Sequence, residues 1–297
     1  MDLCIIGSSK GKEKHLNIIK KAEAIFDKVL YAPITGLRIE GKDESYNIFY
    51  KSAKINDFDV ILPLIPYEHL SFGYAIVKMI EEFGKYSVIG SNALLHAQNP
   101  FVGFLSQRGL KTVRIKTPRI ILSVSGDSVK NMLSKLKYPV VMRTWGKKSR
   151  MIKFTSEQAI KSYIDTAEML SQPIMIEELN GDDVKDLRVL KIGRSVFAIT
   201  EKDKEVFDVT YRLRNFVREV ASKLNTQFLE AKITYGDKFL FLQRVYGTLN
   251  INSFEKAYSK DLTERLLKEC EKEAKSFYSF RMPLRFVERL IDSITRW

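Results

Sequence analysis

The sequence predicts an α/β protein in which an N-terminal parallel α/β domain is followed by two smaller α+β lobes. Two observations support this prediction. Short apolar runs that end in glycine or proline, such as LCIIG at 3–7 and the run ending at Pro63, alternate with helical stretches. This alternation is typical of right-handed crossovers and a mostly parallel sheet. Further along, two hairpin patterns turn at Gly193 and at Gly236–Asp237, and helices follow them.

The N-terminal domain is predicted over residues 1–95. Its four strands are predicted at LCIIG, KVLYAP, DFDVILPLIP and SVIGS, with helices from about Glu13 to Phe26 and from His69 to Phe83. A parallel sheet of this kind binds ligands beyond the carboxyl ends of its strands. Those ends fall near 7–10 and 63–68.

The central lobe is predicted over 96–171, the C-terminal lobe over 172–277 and a basic amphipathic helix over 278–297. Helices are expected from Asn92 to Arg108 and from Ser128 to Leu136. After residue 255 two helices are expected, and the last carries Pro283 in its first turn. Its apolar stripe is formed by Leu284, Val287, Ile291 and Ile294.

Composition is that of an ordinary soluble globular protein, and the use of cysteine favours the cytoplasm. Apolar residues make up 45% of the 297 and charged residues 29%. No apolar stretch reaches the ~18 residues that a membrane span needs. The N-terminus, MDLCIIGSS, is a short apolar run followed by a turn, which predicts a buried strand. It lacks the basic region of a signal peptide, so a signal peptide is not expected. Cys4 and Cys270 have neither metal-ligand spacing nor a disulfide framework, which favours a reducing compartment.

The net charge of +13 is concentrated in one segment. Between Pro100 and Thr155 there are thirteen Lys and Arg residues against one acid, Asp127. Such a field attracts polyanions: nucleotide phosphates, RNA or an acidic surface. A solvated basic face without a partner is the alternative interpretation.

Several strings resemble the RimK-like carboxylate–amine ligases of the ATP-grasp superfamily, and they occur in that family's order over about residues 1–275. The strings are DVILPLIPYEHLSFGYAIVKMIEEFG, SNALLHAQNPFVGFLSQRGLKTVRIKTPRIIL, YPVVMRTWGKKS, IEELNGDDVKDLRVLKIGRSVFA and NSFEKAYSKDL. The resemblance implies the ATP-grasp fold, with two α+β lobes that clamp a nucleotide. It also implies ATP and Mg²⁺ as cofactors, and a carboxylate activated as an acyl phosphate for attack by an amine.

The resemblance also assigns nucleotide-binding positions. Arg143 stands where the family has a strand lysine, and its guanidinium keeps the charge in a wider, planar shape. Glu177 and Glu178 fall at the adenine hinge, and Asp186 and Arg188 match the family's "D-x-R". The alternatives are a surface role for Arg143, an exposed strand edge for the two glutamates, and a salt-bridged hairpin for the last pair.

The implied metal site departs from the family pattern. Glu230 and Gln243 fall on the two acidic ligand positions, and Val245 replaces a ligating asparagine. Gln243 is neutral and Val245 has no side-chain oxygen, whereas Mg²⁺ needs hard oxygen ligands. A second family lysine falls on Asn99–Pro100 and is absent. Asn250 and Asn252 would become candidate ligands if the register were shifted.

Two functions therefore remain open. The favoured hypothesis is a degenerate, non-catalytic homologue whose basic surface binds RNA or a ribosomal surface. The alternative is an active ATP-dependent ligase of amino acids or peptides with altered metal ligation. The predicted phosphate or RNA contacts are Lys147, Lys148, Arg150, Lys153, Arg281, Arg285 and Arg289. The apolar face of the last helix leaves a homodimer or a lobe-packing contact open.

Overall fold

The computed structural model describes residues 1–9, 15–42, 45–99, 119–143, 151–178, 184–236 and 240–295. Side chains are described in the same ranges except at 42, 45, 151, 184 and 281–295. The chain divides into two compact units. The first comprises Met1–Val113, Asp186–Thr234 and Leu242–Trp297, and the second comprises Arg114–Lys185 and Tyr235–Phe241.

The N-terminal part of the first unit is a four-stranded parallel sheet, as predicted. Its strands are β1 (Asp2–Gly7), β2 (Lys28–Pro33), β6 (Val60–Pro63) and β7 (Tyr86–Ser87), in the order β2-β1-β6-β7. Its helices are α1 (Leu16–Ala22), α2 (Leu70–Glu82) and α3 (Ser91–Gln98). The side chains of Leu3, Cys4, Ile5 and Ile6 on β1 are fully buried. Burial on both faces of the sheet explains why this strand is a continuous apolar run.

A second sheet in the first unit was not predicted. It consists of β3 (Leu37–Lys42), β4 (Ser45–Tyr50) and β5 (Ala53–Lys54), in that order. Adjacent strands are antiparallel, with Leu37 opposite Tyr50 and Phe49 opposite Lys54. The sequence LRIEGK alternates apolar and polar residues, which is the pattern of a half-buried strand.

A third sheet, most of it in the first unit, carries four of the predicted site residues. Its strands are β12 (Val184–Ile192), β13 (Ser195–Thr200), β14 (Phe228–Gly236) and β15 (Leu240–Val245), in the order β13-β12-β14-β15. The predicted turn at Gly193 is confirmed, with a φ of 54° that glycine adopts without strain. Helix α6 (Tyr211–Lys223) begins at Thr210, whose Oγ1 accepts the Leu213 N–H.

The second unit is built on a four-stranded antiparallel sheet. Its strands are β8 (Ile120–Ser123), β9 (Val140–Arg143), β10 (Met151–Phe154) and β11 (Ile174–Glu178), in the order β10-β9-β11-β8. Helix α5 (Glu157–Met169) packs its apolar side, including Ile160 and Ile164, into the core beneath the sheet. The helix predicted from Ser128 to Leu136 is a shorter α4 (Gly126–Lys130) and a separate 3-10 turn, Leu133–Lys135.

The C-terminal helices differ from the prediction. They are α7 (Ile251–Tyr258) and a single long α8 (Leu262–Thr295). The prediction of a separate last helix with Pro283 in its first turn is therefore wrong, because Pro283 lies inside α8. Proline removes one backbone donor and disfavours the preceding turn, but a long helix anchored by tertiary packing tolerates this. Leu266, Leu267 and Cys270 of α8 are fully buried and provide that anchor.

Helix α8 also closes the N-terminal sheet. The Tyr278 hydroxyl donates to the Asp59 carbonyl at 2.6 Å and accepts from the Tyr86 N–H at 3.3 Å. Just before the helix, a carboxylate oxygen of Asp261 lies 2.5 Å from the amine of Lys21, in the last turn of α1. Among the helices whose residues are described, none has the length and apolarity to span a bilayer.

Candidate functional site

The third sheet brings four of the predicted site residues together in the first unit. Asp186 and Arg188 are two positions apart on β12, and therefore lie on the same face of the sheet. Glu230 lies on the neighbouring β14, and Gln243 on β15 next to it. The sequence resemblance assigned the same four residues to the nucleotide and metal positions.

Arg188 and Glu230 form a buried ion pair. The Nε atom of Arg188 donates to Oε1 of Glu230 at 2.5 Å, and the Glu230 side chain is 0% exposed. The other oxygen, Oε2, accepts the backbone N–H of Asn250. Both oxygens of this carboxylate are therefore engaged by donors of the chain itself.

The environment of the pair explains its electrostatics. Burial raises the pKa of Glu230, whereas Arg188 and the Asn250 amide oppose that rise. Burial alone lowers the pKa of Arg188, but Glu230 and Tyr246 outweigh it and the pKa lies above the ordinary value. The guanidinium thus stays charged, and it supplies the positive charge that the buried carboxylate requires.

Gln243 is held as a hydrogen-bond donor. Its Nε2 donates to Oδ1 of Asp186 at 2.6 Å and to the Thr234 hydroxyl, and its side chain is buried. The Thr234 hydroxyl also lies 3.1 Å from Oδ1 of Asp186. The Lys232 amine lies 2.9 Å from Oδ2 of the same aspartate. Asp186 is consequently satisfied by an amide, a hydroxyl and an ammonium group.

Two arginines share one aromatic ring beside this network. The Arg188 guanidinium lies 4.8 Å from the centroid of the Tyr246 ring, and that of Arg244 lies 5.5 Å from it. Arg244 also lies over Tyr67, at 4.8 Å. Cation–π contacts of this kind hold guanidinium groups in a fixed orientation. The network that we call the Arg188–Glu230 cluster consists of Asp186, Arg188, Glu230, Lys232, Thr234, Gln243, Arg244 and Tyr246.

This donor set does not fit Mg²⁺. The ion prefers carboxylate oxygens and water in octahedral geometry. Both oxygens of Glu230 accept from the chain, the Gln243 amide points its donor at Asp186, and Val245 is buried without an oxygen. Within the described part of the chain, no three His, Cys, Asp or Glu side chains are grouped so as to hold a metal.

A second group of predicted residues lies in the second unit. Arg143 and Glu177 are both buried, 7% and 4% exposed, and they form an ion pair through Nη2 and Oε1. The guanidinium also lies 5.6 Å from the centroid of the Phe241 ring, in the same unit. The alternative of a surface role for Arg143 is therefore wrong, because the side chain is buried, and its predicted phosphate contact stays a prediction.

Glu178 binds backbone rather than side chains. Its carboxylate accepts the Lys137 N–H at 2.8 Å and the Arg119 N–H at 3.4 Å. Its own N–H donates to the Arg119 carbonyl at 3.0 Å. These bonds tie β11 to the segments before β8 and β9. The role of Glu177 and Glu178 at an adenine hinge stays a prediction.

The predicted basic contacts fall largely outside the description. Lys147, Lys148 and Arg150 lie outside the described residues, and Lys153 is exposed on β10. Arg281, Arg285 and Arg289 lie within α8, where their side chains are not described.

Sequence reasoning missed Lys232 and Thr234, which complete the contacts of Asp186. A signal for both was present: residues 230, 232 and 234 alternate along β14 and so share one face. The backbone contribution of Asn250 had no sequence signal.

Comparison with known proteins agrees with this architecture. Residues 1–94 match the RimK PreATP-grasp domain family. A probable alpha-L-glutamate ligase of Enterobacter sp. (strain 638) is 21% identical over 255 residues, which covers 78% of this chain and 83% of that protein. A protein with the same description from Xanthomonas oryzae pv. oryzae (strain MAFF 311018) is 24% identical over 159 residues, 52% of this chain and 53% of its own length.

Solved structures confirm the predicted fold. The ATP-grasp ligase PsnB, solved with minimal precursor, Mg and ADP, matches with a TM-score of 0.69 at 13% identity, over 92% of this chain and 97% of its own. A RimK domain ATP-grasp protein from Sphaerobacter thermophilus DSM 20745 matches with a TM-score of 0.67 at 8% identity, over 91% and 99%. Residues 1–94 therefore match the RimK PreATP-grasp domain family, and the chain as a whole has the fold of the ATP-grasp ligases.

Proposed function

We propose that this chain keeps the ATP-grasp fold but does not carry out Mg²⁺-dependent ligation. One observation supports the proposal above all: both oxygens of Glu230, at the family's first acidic ligand position, accept from Arg188 and from the Asn250 amide. An internal guanidinium therefore provides positive charge where the family relies on a divalent cation.

Displacing that guanidinium would be costly. A metal that took over Glu230 would leave Arg188, whose side chain is 15% exposed, without its counter-charge. Breaking a buried pair by removing one partner typically costs ~3–5 kcal/mol. The incoming cation would also meet Lys232 and Arg244 nearby. Gln243 provides no second carboxylate, and the Asp186 carboxylate is already engaged by Lys232, Thr234 and Gln243.

The alternative is an active ligase with altered metal ligation. It is supported by the curated relatives, described as probable alpha-L-glutamate ligases, and by the PsnB complex with Mg and ADP. In this alternative ATP and Mg²⁺ would bind through groups other than Glu230 and Gln243. The two hypotheses differ in one measurable quantity, the effect of Mg²⁺ on ATP affinity.

Calorimetric titration of ATP, with Mg²⁺ and with a chelator, tests the proposal. We expect weak binding or none, with no strengthening by Mg²⁺. Glu230→Gln is the diagnostic variant, because it removes the acid while keeping the shape. If Glu230 ligates a metal, this change abolishes the increase in ATP affinity that Mg²⁺ causes. Under the proposal, Mg²⁺ does not change the ATP affinity of the wild type or of the variant. Micromolar, Mg²⁺-dependent binding by the wild type, or ADP formation with an amino acid acceptor, would refute the proposal.

The charge of the segment Pro100–Thr155 suggests which function the chain has in place of ligation. Thirteen cations against one acid exceed what one triphosphate requires, and Lys153 is exposed on β10. We propose that this segment binds RNA, free or on a ribosomal surface, through backbone phosphates. A cytoplasmic location and a homodimer stay predictions.

A further inference from the structure

A cavity of about 900 Å³ lies within the first unit and includes no residue of the Arg188–Glu230 cluster. Its wall is formed by the end of α2 with β7, the turn between β12 and β13, the end of α6 and a stretch of α8. Small-molecule sites in proteins typically occupy ~300–1,000 Å³. The cavity is therefore large enough for a metabolite.

The lining is strongly cationic. Lys85, Lys191, Arg194 and Arg218 all face the cavity. Among the residues that the structure describes, none of these four cations has a carboxylate within 4.0 Å. The acid in the lining is Glu81, and its carboxylate accepts the N–H of Ser91 at 2.8 Å and the hydroxyl of that serine at 2.5 Å. The cavity therefore carries an excess of positive charge without counter-ions in contact.

Lys191 is the buried member of this group, with 4% of its surface exposed. Its amine donates to the carbonyl and to the side-chain Oε1 of Gln227, at 2.9 and 3.0 Å. Both partners are neutral, so they orient the ammonium group without neutralising it. A buried charge without a carboxylate in direct contact is unfavourable, and a bound anion would relieve that penalty.

The electrostatics of Lys191 agree with this geometry. Burial lowers its pKa to about 8; Glu273 opposes the shift, Arg218 adds to it and Glu269 opposes it. Glu269 is itself paired with Lys272 at 2.9 Å. Arg218 lies close enough to act on Lys191, and its Nη2 donates to the Arg194 carbonyl at 2.8 Å. Lys191, Arg194 and Arg218 thus line one cavity, and Arg218 is bonded to the turn that carries Arg194.

The cavity also has an aromatic part. The rings of Tyr86 and Phe277 line it, with centroids 5.5 Å apart and tilted by 54°. An aromatic pair beside clustered cations suits a ligand with an anionic head and an apolar or ring-shaped body. Guanidinium groups favour oxyanions that accept several hydrogen bonds at once, and phosphate is the commonest of these.

We propose that this cavity binds a small organic phosphate, with Lys191, Arg194 and Arg218 around the phosphate group and Tyr86 and Phe277 beside the organic part. The site is independent of the proposed loss of ligation, because the two share no residue.

Calorimetric titration with phenyl phosphate tests the proposal. We expect saturable binding that is tighter than that of inorganic phosphate, and tighter than that of benzoate at equal ionic strength. Arg218→Ala should weaken it about tenfold, the size expected for a lost charge-assisted hydrogen bond. Lys191→Met should weaken it at least as much if the protein folds.

Arg214→Ala is the matched control. Arg214 lies one turn earlier on α6, is exposed and does not line the cavity. The Arg214→Ala substitution removes the same charge from the same helix as Arg218→Ala. We expect it to leave the affinity for phenyl phosphate nearly unchanged. The proposal is overturned by an absence of saturable binding, by equal losses in the Arg218 and Arg214 variants, or by benzoate binding as tightly as phenyl phosphate.

Discussion

The Nε atom of Arg188 lies 2.5 Å from Oε1 of Glu230, a carboxylate that solvent does not reach. The two residues come from adjacent strands, β12 and β14, so the pair fixes one strand against the next. The same pair occupies positions that the family resemblance assigns to nucleotide binding and to a metal ligand. The stability of the fold and the proposed loss of ligation therefore depend on the same contact.

Removing one member of the pair should destabilise the protein strongly. We expect Arg188→Met to lower the free energy of unfolding by about 3–5 kcal/mol, because Glu230 is left buried and charged. Arg188→Met with Glu230→Leu should recover most of that loss, since well-packed apolar pairs often replace buried ion pairs without cost. Urea unfolding of the single and double variants measures both values. The exposed Arg214→Met is the control, with an expected change within ~0.5 kcal/mol. A similarly small change in Arg188→Met would show that the pair does not stabilise the fold.

Restoring the missing ligands should make the protein respond to metal. In the wild type, Oδ1 of Asp186 accepts from the Gln243 amide at 2.6 Å. The double variant Gln243→Glu with Val245→Asn places a second carboxylate next to Asp186. Without metal, the two acids repel and the melting temperature should fall. Mg²⁺ should recover part of the lost melting temperature, because a ligand that binds the folded state stabilises that state.

The readout of this experiment is the melting temperature with and without Mg²⁺, together with Mg²⁺-dependent ATP affinity. The wild type is the reference and should show no Mg²⁺ effect. If the double variant is equally indifferent to Mg²⁺, then β15 has been matched to the family in the wrong register. Asn250 and Asn252 would then be the ligand positions to examine.

Stability should depend on pH through Lys191. The pKa is about 8 in the folded protein against an ordinary 10.5, so the unfolded chain binds more protons between these values. The penalty of the buried charge is fully present at pH 7 and is relieved as pH rises from 8 to 10.5. We expect the stability of the wild type, relative to Lys191→Met, to increase by about 1–3 kcal/mol across that range.

Urea unfolding of both proteins at pH 7 and pH 10.5 provides the measurement, and taking the difference removes the titration of other groups. Glu273, Glu269 and Arg218 act on Lys191 in both conditions. A difference that stays constant or decreases with pH would mean that this ammonium group is not held in an unfavourable environment.

Binding of RNA should be electrostatic and independent of sequence. Reversing Lys147, Lys148 and Arg150 to Glu should weaken binding for all RNA sequences alike, because phosphate contacts carry no base information. Wild-type affinity should fall steeply between 50 and 200 mM salt, by ~10³-fold or more if six or more phosphates are neutralised. Filter binding and ribosome co-sedimentation at the two salt concentrations are the measurements.

A matched reversal elsewhere separates local contacts from net charge. Lys202, Lys256 and Lys260 are exposed and lie in the first unit, so changing all three to Glu alters net charge by the same amount. We expect this control to retain most of the affinity. Equal losses in both triple variants, or no binding at low salt, would remove the RNA function and leave the basic segment as solvated surface.

Sequence patterns predicted the parallel N-terminal sheet and the hairpin at Gly193 because each rests on local signals. A continuous apolar run indicates a strand buried on both faces, and glycine permits a left-handed turn. The unpredicted sheet β3-β4-β5 had a weaker signal, since its two longer strands are half-exposed and form no continuous apolar run. Pro283 indicated a helix start, but packing of α8 elsewhere overrides a local preference.

At the site, the sequence identified the positions but not the partners. Residue types showed that Gln243 and Val245 are poor metal ligands. They did not show that Arg188 engages Glu230, because that contact depends on the order of strands in the sheet, which brings residues 42 positions apart into contact. The Asn250 contribution comes from the backbone, which carries no residue-specific signal. The cationic cavity is formed by four separate stretches of chain and could not be anticipated from any one of them.

The first unit is assembled from three separate stretches of chain, and Tyr278 near its end contacts Asp59 and Tyr86 near its beginning. During synthesis the N-terminal sheet therefore emerges long before the helix that closes it, and the whole of the second unit is made in between. The sheet therefore lacks its contacts with Tyr278 until α8 has left the ribosome. Residues far apart in translation time thus belong to one cooperative unit, and a lesion in α8 should unfold β6 and β7 together with it.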